Sequence, residues 1–140
     1  MARPTSFRLS ATLLDRLNDE AAARGMSVTA LVATVLDEGL KTSHFGGIVY
    51  RAGPTGRRAG VAGGPDVWEI VRDLKHAQGP GEQRVQALAQ QLGLPAQRIR
   101  LALDFCAAFP EEIEDRIAAD ERAEARLRVL IDQRNRLLAT

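Results

Sequence analysis

The sequence is poor in the residues from which most catalytic and metal centres are built. It holds one cysteine and two histidines in 140 residues. Cys106 alone cannot close an internal disulfide, which fits a reducing compartment. His44, His76 and Cys106 lie far apart in the chain, so no His/Cys zinc spacing exists and no metal or cofactor is expected. No apolar run approaches the roughly twenty residues that a membrane-spanning helix needs, so no membrane partner is expected. The opening MARPTSFRLSATLL lacks a long apolar stretch and a small-residue cleavage site. The expectation is therefore a cytoplasmic protein without a secretory signal.

Net charge is also small, at +1, but it is unevenly laid out. Residues 43–65 carry Arg51, Arg57 and Arg58 with no acid, whereas Glu111-Glu112-Ile113-Glu114-Asp115 is strongly acidic. Local patches set the field, so near neutrality does not argue against a nucleic-acid partner. An apolar share of 45% is enough for a packed core.

Thr5-Ser6-Phe7-Arg8-Leu9 alternates polar and apolar residues, the period of a strand with one dry face. Phe7 and Leu9 share that face with Thr5, and Ser6 and Arg8 point the other way. Ser10 suits the N-cap of a helix bearing Leu13, Leu14, Leu17 and Ala21, and Gly25 suits its left-handed end. Ser27 is the next N-cap, before a stripe of Val28, Leu31, Val32, Val35, Leu36 and Leu40. The order is strand, helix, turn, helix. One short strand leaves its backbone groups unpaired, and so small a unit buries too little surface to stand alone. The economical arrangement is a homodimer whose two strands pair antiparallel, giving a ribbon that fits the DNA major groove.

These residues, with Leu13-Leu14-Asp15-Arg16-Leu17 and Gly25-Met26-Ser27-Val28-Thr29-Ala30-Leu31, resemble the ribbon-helix-helix family of CopG/Arc-type repressors over residues 3–42. The resemblance implies an obligate homodimer that reads operator DNA with Pro4, Ser6 and Arg8. It also implies a phosphate held at the second helix N-terminus by Ser27, Val28 and Thr29. Pro4 departs from the long polar side chain usual in the family, which leaves Arg8 as the main base reader and Ser6 as an adaptable one.

Residues 43–65 form a Gly-rich linker or hairpin. Ile48-Val49-Tyr50 reads as a strand, Gly53-Pro54-Thr55-Gly56 as a turn, and Arg57 to Val61 as a possible return strand. The glycines suit turn chemistry better than a phosphate loop, since no Gly-Lys-Ser/Thr element follows. Arg57 and Arg58 could contact phosphates, pair with the acids at 111–115, or face water.

Residues 66–109 read as a helical domain. Asp66 is placed to N-cap a helix carrying Val67, Trp68, Ile70, Val71 and Leu74, with Trp68 as a core anchor. A helix with Val85, Leu88, Ala89 and Leu92 ends at Gly93, and another follows Leu94-Pro95 with Ile99, Ala102 and Phe105. The spacing Ala89, Gly93, Ile99 resembles a helix-turn-helix, which predicts a compact helical unit better than it predicts DNA reading. Phe105 and Cys106 are expected in the core.

Gly53-Pro54-Thr55-Gly56-Arg57-Arg58, Asp66-Val67-Trp68-Glu69-Ile70-Val71 and the run from Ala102 to Ile113 are similar to family 433 among domains of unknown function, over residues 45–117. Members commonly carry a tyrosine pair where this chain has Phe105-Cys106. That family is associated with VapB-type antitoxins, whose partner is a PIN-like ribonuclease toxin.

From Pro110 to Leu138 there is no glycine and proline only at the start, which predicts a long helix, within a fourth segment of 110–140. The acids at 111–115 suit its positive N-terminal end. Leu127, Leu130 and Ile131 supply apolar surface that could finish the chain's own core or lie in a partner's groove. The antitoxin resemblance favours the partner. It implies that Arg134 or Arg136 enters the toxin's magnesium-binding carboxylates.

The expected fold is mainly α, with an N-terminal ribbon-helix-helix domain (1–42), a short β-hairpin, a small helix-turn-helix-like domain and a long terminal helix. The expected function is an antitoxin that binds its operator and neutralises a PIN-like ribonuclease. The alternative is a ribbon-helix-helix transcriptional regulator without a toxin partner. No catalytic residues are assigned, because no nucleophile is set beside a base.

Overall fold

A computed structural model describes all 140 residues. The chain divides into two compact units, Met1–His44 and Phe45–Thr140.

The first unit contains α1 (Ala11–Arg24) and α2 (Val28–Thr42). Ser10 caps α1 by accepting from the Leu13 N–H at 3.2 Å, and Ser27 caps α2 by accepting from Ala30 at 3.1 Å. Between them the chain reverses at Gly25, whose φ of 65° lies in the left-handed region. There the Met26 N–H reaches Ala21 O and the Gly25 N–H reaches Ala22 O, which satisfies carbonyls at the end of α1. Gly93 ends a later helix in the same way, with Leu94 bonded to Ala89 and Gly93 to Gln90.

The expected strand over Thr5–Leu9 does not form. Residues 1–10 have no regular structure, the first element is α1, and the sheet is a two-stranded hairpin in the second unit. The ribbon-helix-helix fold class, with its intermolecular ribbon, is therefore corrected to a mainly helical fold with a small intrachain sheet. The alternation from Thr5 to Leu9 sets which side chains share a face. A strand also requires a second backbone to pair with, and this chain supplies none there.

The second unit contains β1 (Ile48–Arg51), β2 (Arg58–Val61), α3 (Val67–His76), α4 (Glu82–Leu92), α5 (Ala96–Ala108) and α6 (Pro110–Leu138). β1 and β2 pair antiparallel, with Ile48 opposite Val61 and Arg51 opposite Arg58. Their inner residues Ile48, Ala59 and Val61 join Val67, Ile70, Leu88, Ile99, Ala102 and Phe105 in one core. The hairpin is thus part of this unit's packing. Phe105 is its centre, meeting Phe45, Phe109 and Tyr50 at ring separations of 5.4, 5.0 and 6.4 Å. Edge and tilted contacts of this kind suit the quadrupoles of aromatic rings. α6 buries only Ile113 and Ile117, and every residue from Glu121 to Thr140 is exposed.

Candidate functional site

The first unit presents an open apolar face. Only Ala21 and Leu31 are buried in its 44 residues, whereas Phe7, Leu36 and Leu40 are 74, 53 and 73% exposed. Phe7, Arg8, Leu9, Leu13, Leu17, Val32, Val35 and Leu36 line a groove of about 400 Å³. Polar lining is almost absent. Of the stripe on α2 that the sequence marks as a core face, Leu31 is buried, Val28 and Val32 are half-buried, and Val35, Leu36 and Leu40 are exposed.

Pro4, Ser6 and Arg8 all lie exposed in the arm before α1. Arg3 and Arg8 are the arm's charged side chains, and no acid precedes Asp15. Ser27, Val28 and Thr29 form the cap and first residues of α2. The Ser27 hydroxyl is engaged in capping, so the anion-attracting feature there is the backbone N–H end of the helix.

The second unit contains a charged cluster that the sequence reading did not assemble. Asp66 is 4% exposed and stands at the N-cap position of α3, yet its side chain makes no capping bond. It accepts instead from Arg51 Nη2 at 2.7 Å, from Arg58 Nε and from the Trp68 indole N–H at 3.1 Å. Burial pushes its pKa up, but the bonds from Arg58, Arg51 and Trp68 outweigh that and hold the carboxyl below its ordinary value. Arg58 therefore pairs with Asp66, rather than with the acids at 111–115 or with water. Gly60 and Gly53 make room, since a β-carbon at either would strike the guanidinium of Arg51 or Arg58. The signal appears only once the register is known. The hairpin register sets Arg51 directly opposite Arg58, and like charges facing across a ladder need an anion between them.

The helix-turn-helix spacing gives a packed corner, with Ala89 and Ile99 buried on either side of Gly93. The arginines of α5 are occupied: Arg98 donates to the Ala62 carbonyl and Arg100 to Glu82. Cys106 is half-buried, and burial first, then the charge of Glu114, raises its thiol pKa. It is not an activated nucleophile. No three His, Cys, Asp or Glu side chains are grouped to hold a metal ion.

On α6, Leu127, Leu130 and Ile131 share one exposed stripe with Arg134 and Leu138. Arg136 is two residues on from Arg134 and so points roughly 200° around the helix. The two candidate arginines are thus on different faces, and Arg134 is the one beside the leucines.

No family model, curated protein or solved structure matches this chain.

Proposed function

We propose that the chain is an operator-binding antitoxin, dimeric through its first unit and directed to a PIN-like ribonuclease through α6. The observation that carries the reading is the open face of residues 1–44. Two buried side chains cannot hold a 44-residue unit against its conformational entropy, so Phe7, Leu36 and Leu40 require a partner surface. A second copy offers the same apolar face in two-fold symmetry. The dimer then carries two basic arms, with Arg8 as base reader, Ser6 and Pro4 beside it, and the N-terminus of α2 at Ser27, Val28 and Thr29 against phosphate. Leu127, Leu130, Ile131 and Arg134 form the face offered to the toxin, with Arg134 suited to a carboxylate cluster and Arg136 at the margin.

Binding to the DNA upstream of its own gene, followed by fluorescence anisotropy, tests the operator half. Arg8→Ala is expected to bind that DNA and random DNA equally, where the unaltered chain prefers the former. Affinity falls with added salt, because phosphate contacts release counterions. An Arg8→Ala chain with undiminished preference contradicts the assignment. Co-expression with an adjacent-gene nuclease tests the other half: an inactive complex is expected, and a complex retaining full nuclease activity ends the antitoxin reading. Leu36→Glu should abolish the concentration dependence of the first unit's melting, which a monomeric unit would never show. A dimeric regulator without a toxin shares the same first unit and differs only in what covers α6.

A further inference from the structure

The distal half of α6 is a folded, anchored helix with an uncovered apolar stripe. Counting 3.6 residues per turn, Ala123, Leu127, Leu130, Arg134 and Leu137 fall on one seam, with Ile131 and Leu138 at its edge. Leu127, Leu130 and Leu137 are 56, 61 and 78% exposed. The charge on this seam is polarised. Asp120 and Glu124 stand at its inner end and Arg134 at its outer end. Beside the inner end a groove of about 620 Å³ runs between α3 and α6, with Arg72, Asp73 and His76 on one wall and Asp120, Glu124 and Leu127 on the other. Three carboxylates and one guanidinium line it, with a second guanidinium, Arg128, beside Glu124, so the groove keeps one acid in excess. Asp73 and Asp120 already share Arg72, at 2.9 and 3.5 Å, and Glu124 accepts from Arg128 at 3.1 Å.

We infer that α6 pairs antiparallel with α6 of a second copy, the outer end of each helix entering the acidic groove of the other. In an antiparallel pair the two kinds of seam position alternate across the interface. Setting Leu127 of one chain against Leu130 of the other then fixes the register. Arg134 of the second copy arrives over Ala123, between Asp120 and Glu124, and Leu137 arrives level with Asp120. Two-fold symmetry makes each contact twice. A parallel pair would stack Arg134 on Arg134 and Asp120 on Asp120 in the seam, like charges in the least hydrated part of the contact. The overlap from 120 to 138 extends about 28 Å at the α-helical rise. Because α6 is already nucleated at its start, where Ile113 and Ile117 are buried, association extends contacts along an existing helix and does not have to start a new one. This pairing concerns residues outside the first unit and stands independently of the operator reading. A toxin seated on the same stripe would displace the second copy, so the test uses the chain alone.

Sedimentation equilibrium of the full chain carrying Leu36→Glu, which removes the first unit's face, should still give a dimer. A monomer at all concentrations overturns the pairing. Adding Leu127→Glu and Leu130→Glu buries charge in the seam and should weaken that dimer at least about tenfold, with helicity unchanged. Equal association overturns the proposal. Direction is read by oxidation in a Cys106→Ser background. Leu137→Cys chains should stay uncrosslinked alone and crosslink when mixed with Asp120→Cys chains. Self-crosslinking of Leu137→Cys overturns the antiparallel order.

Discussion

Tyr50 donates its phenolic hydrogen to the Glu112 carboxylate, lying 2.7 Å from Oε1 and 2.9 Å from Oε2. This bond joins β1 to the first turn of α6, where Glu112 also faces the positive end of the helix. Tyr50→Phe removes the donor and keeps the ring against Phe105. It should cost about 1–2 kcal/mol, since a bond to a charged but half-exposed group lies at the lower end of the usual range. Urea unfolding of the second unit measures it, and an unchanged midpoint contradicts the role.

Asp66 makes stability depend on pH with a definite sign. Its folded pKa is lowered, so its contribution is present above the unfolded carboxylate value near 3.9 and is lost as pH falls through the lower folded value. Asp66→Asn should flatten that acid limb. It should also cost about 2–3 kcal/mol at neutral pH, less than for a fully buried pair because both guanidiniums reach solvent. Unfolding curves across the acid range decide it; parallel limbs for the two proteins would sink the assignment.

The same substitution at two glycines should have opposite signs. Gly25 has φ of 65°, so an alanine there meets no neighbour but strains the backbone, at a cost of about 1 kcal/mol. Gly39 lies inside α2 with open space around it, and alanine there should stabilise by about 0.5–1 kcal/mol. Thermal melts of the two variants compare them directly, and a shared direction would refute the explanation.

Cys106 should alkylate slowly in the folded protein. Burial, and after it Glu114, keeps the thiol protonated at neutral pH, and unfolding removes both effects. Iodoacetamide labelling with and without denaturant tests this, with faster labelling expected in denaturant.

The helices were legible because their punctuation is local. Ser10, Ser27, Gly25 and Gly93 each act within a single turn of chain, and each stands at the boundary that its chemistry predicts. The hairpin was legible in part for the same reason: Gly53 to Gly56 reads as a turn, while the segment around it read equally as a linker. What escaped was non-local. Asp66 looks like a cap because it precedes a helix; its real partners arrive from two strands at positions the register alone brings together. The strand expected at Thr5–Leu9 failed on the same ground, because alternation is a property of the segment and pairing is not. For α6, the apolar spacing was readable, whereas the placement of Arg134 and Arg136 on different sides follows only once helical phase is imposed.

From Glu111 to Leu138 the terminal helix contains neither glycine nor proline, and no break interrupts it. Such a rod has no joint at which motion could be absorbed. A twist imposed on Leu137 by any bound protein is therefore carried toward the base of the helix, where the buried Ile113 and Ile117, the Tyr50–Glu112 bond and the Arg72–Asp120 pair resist it.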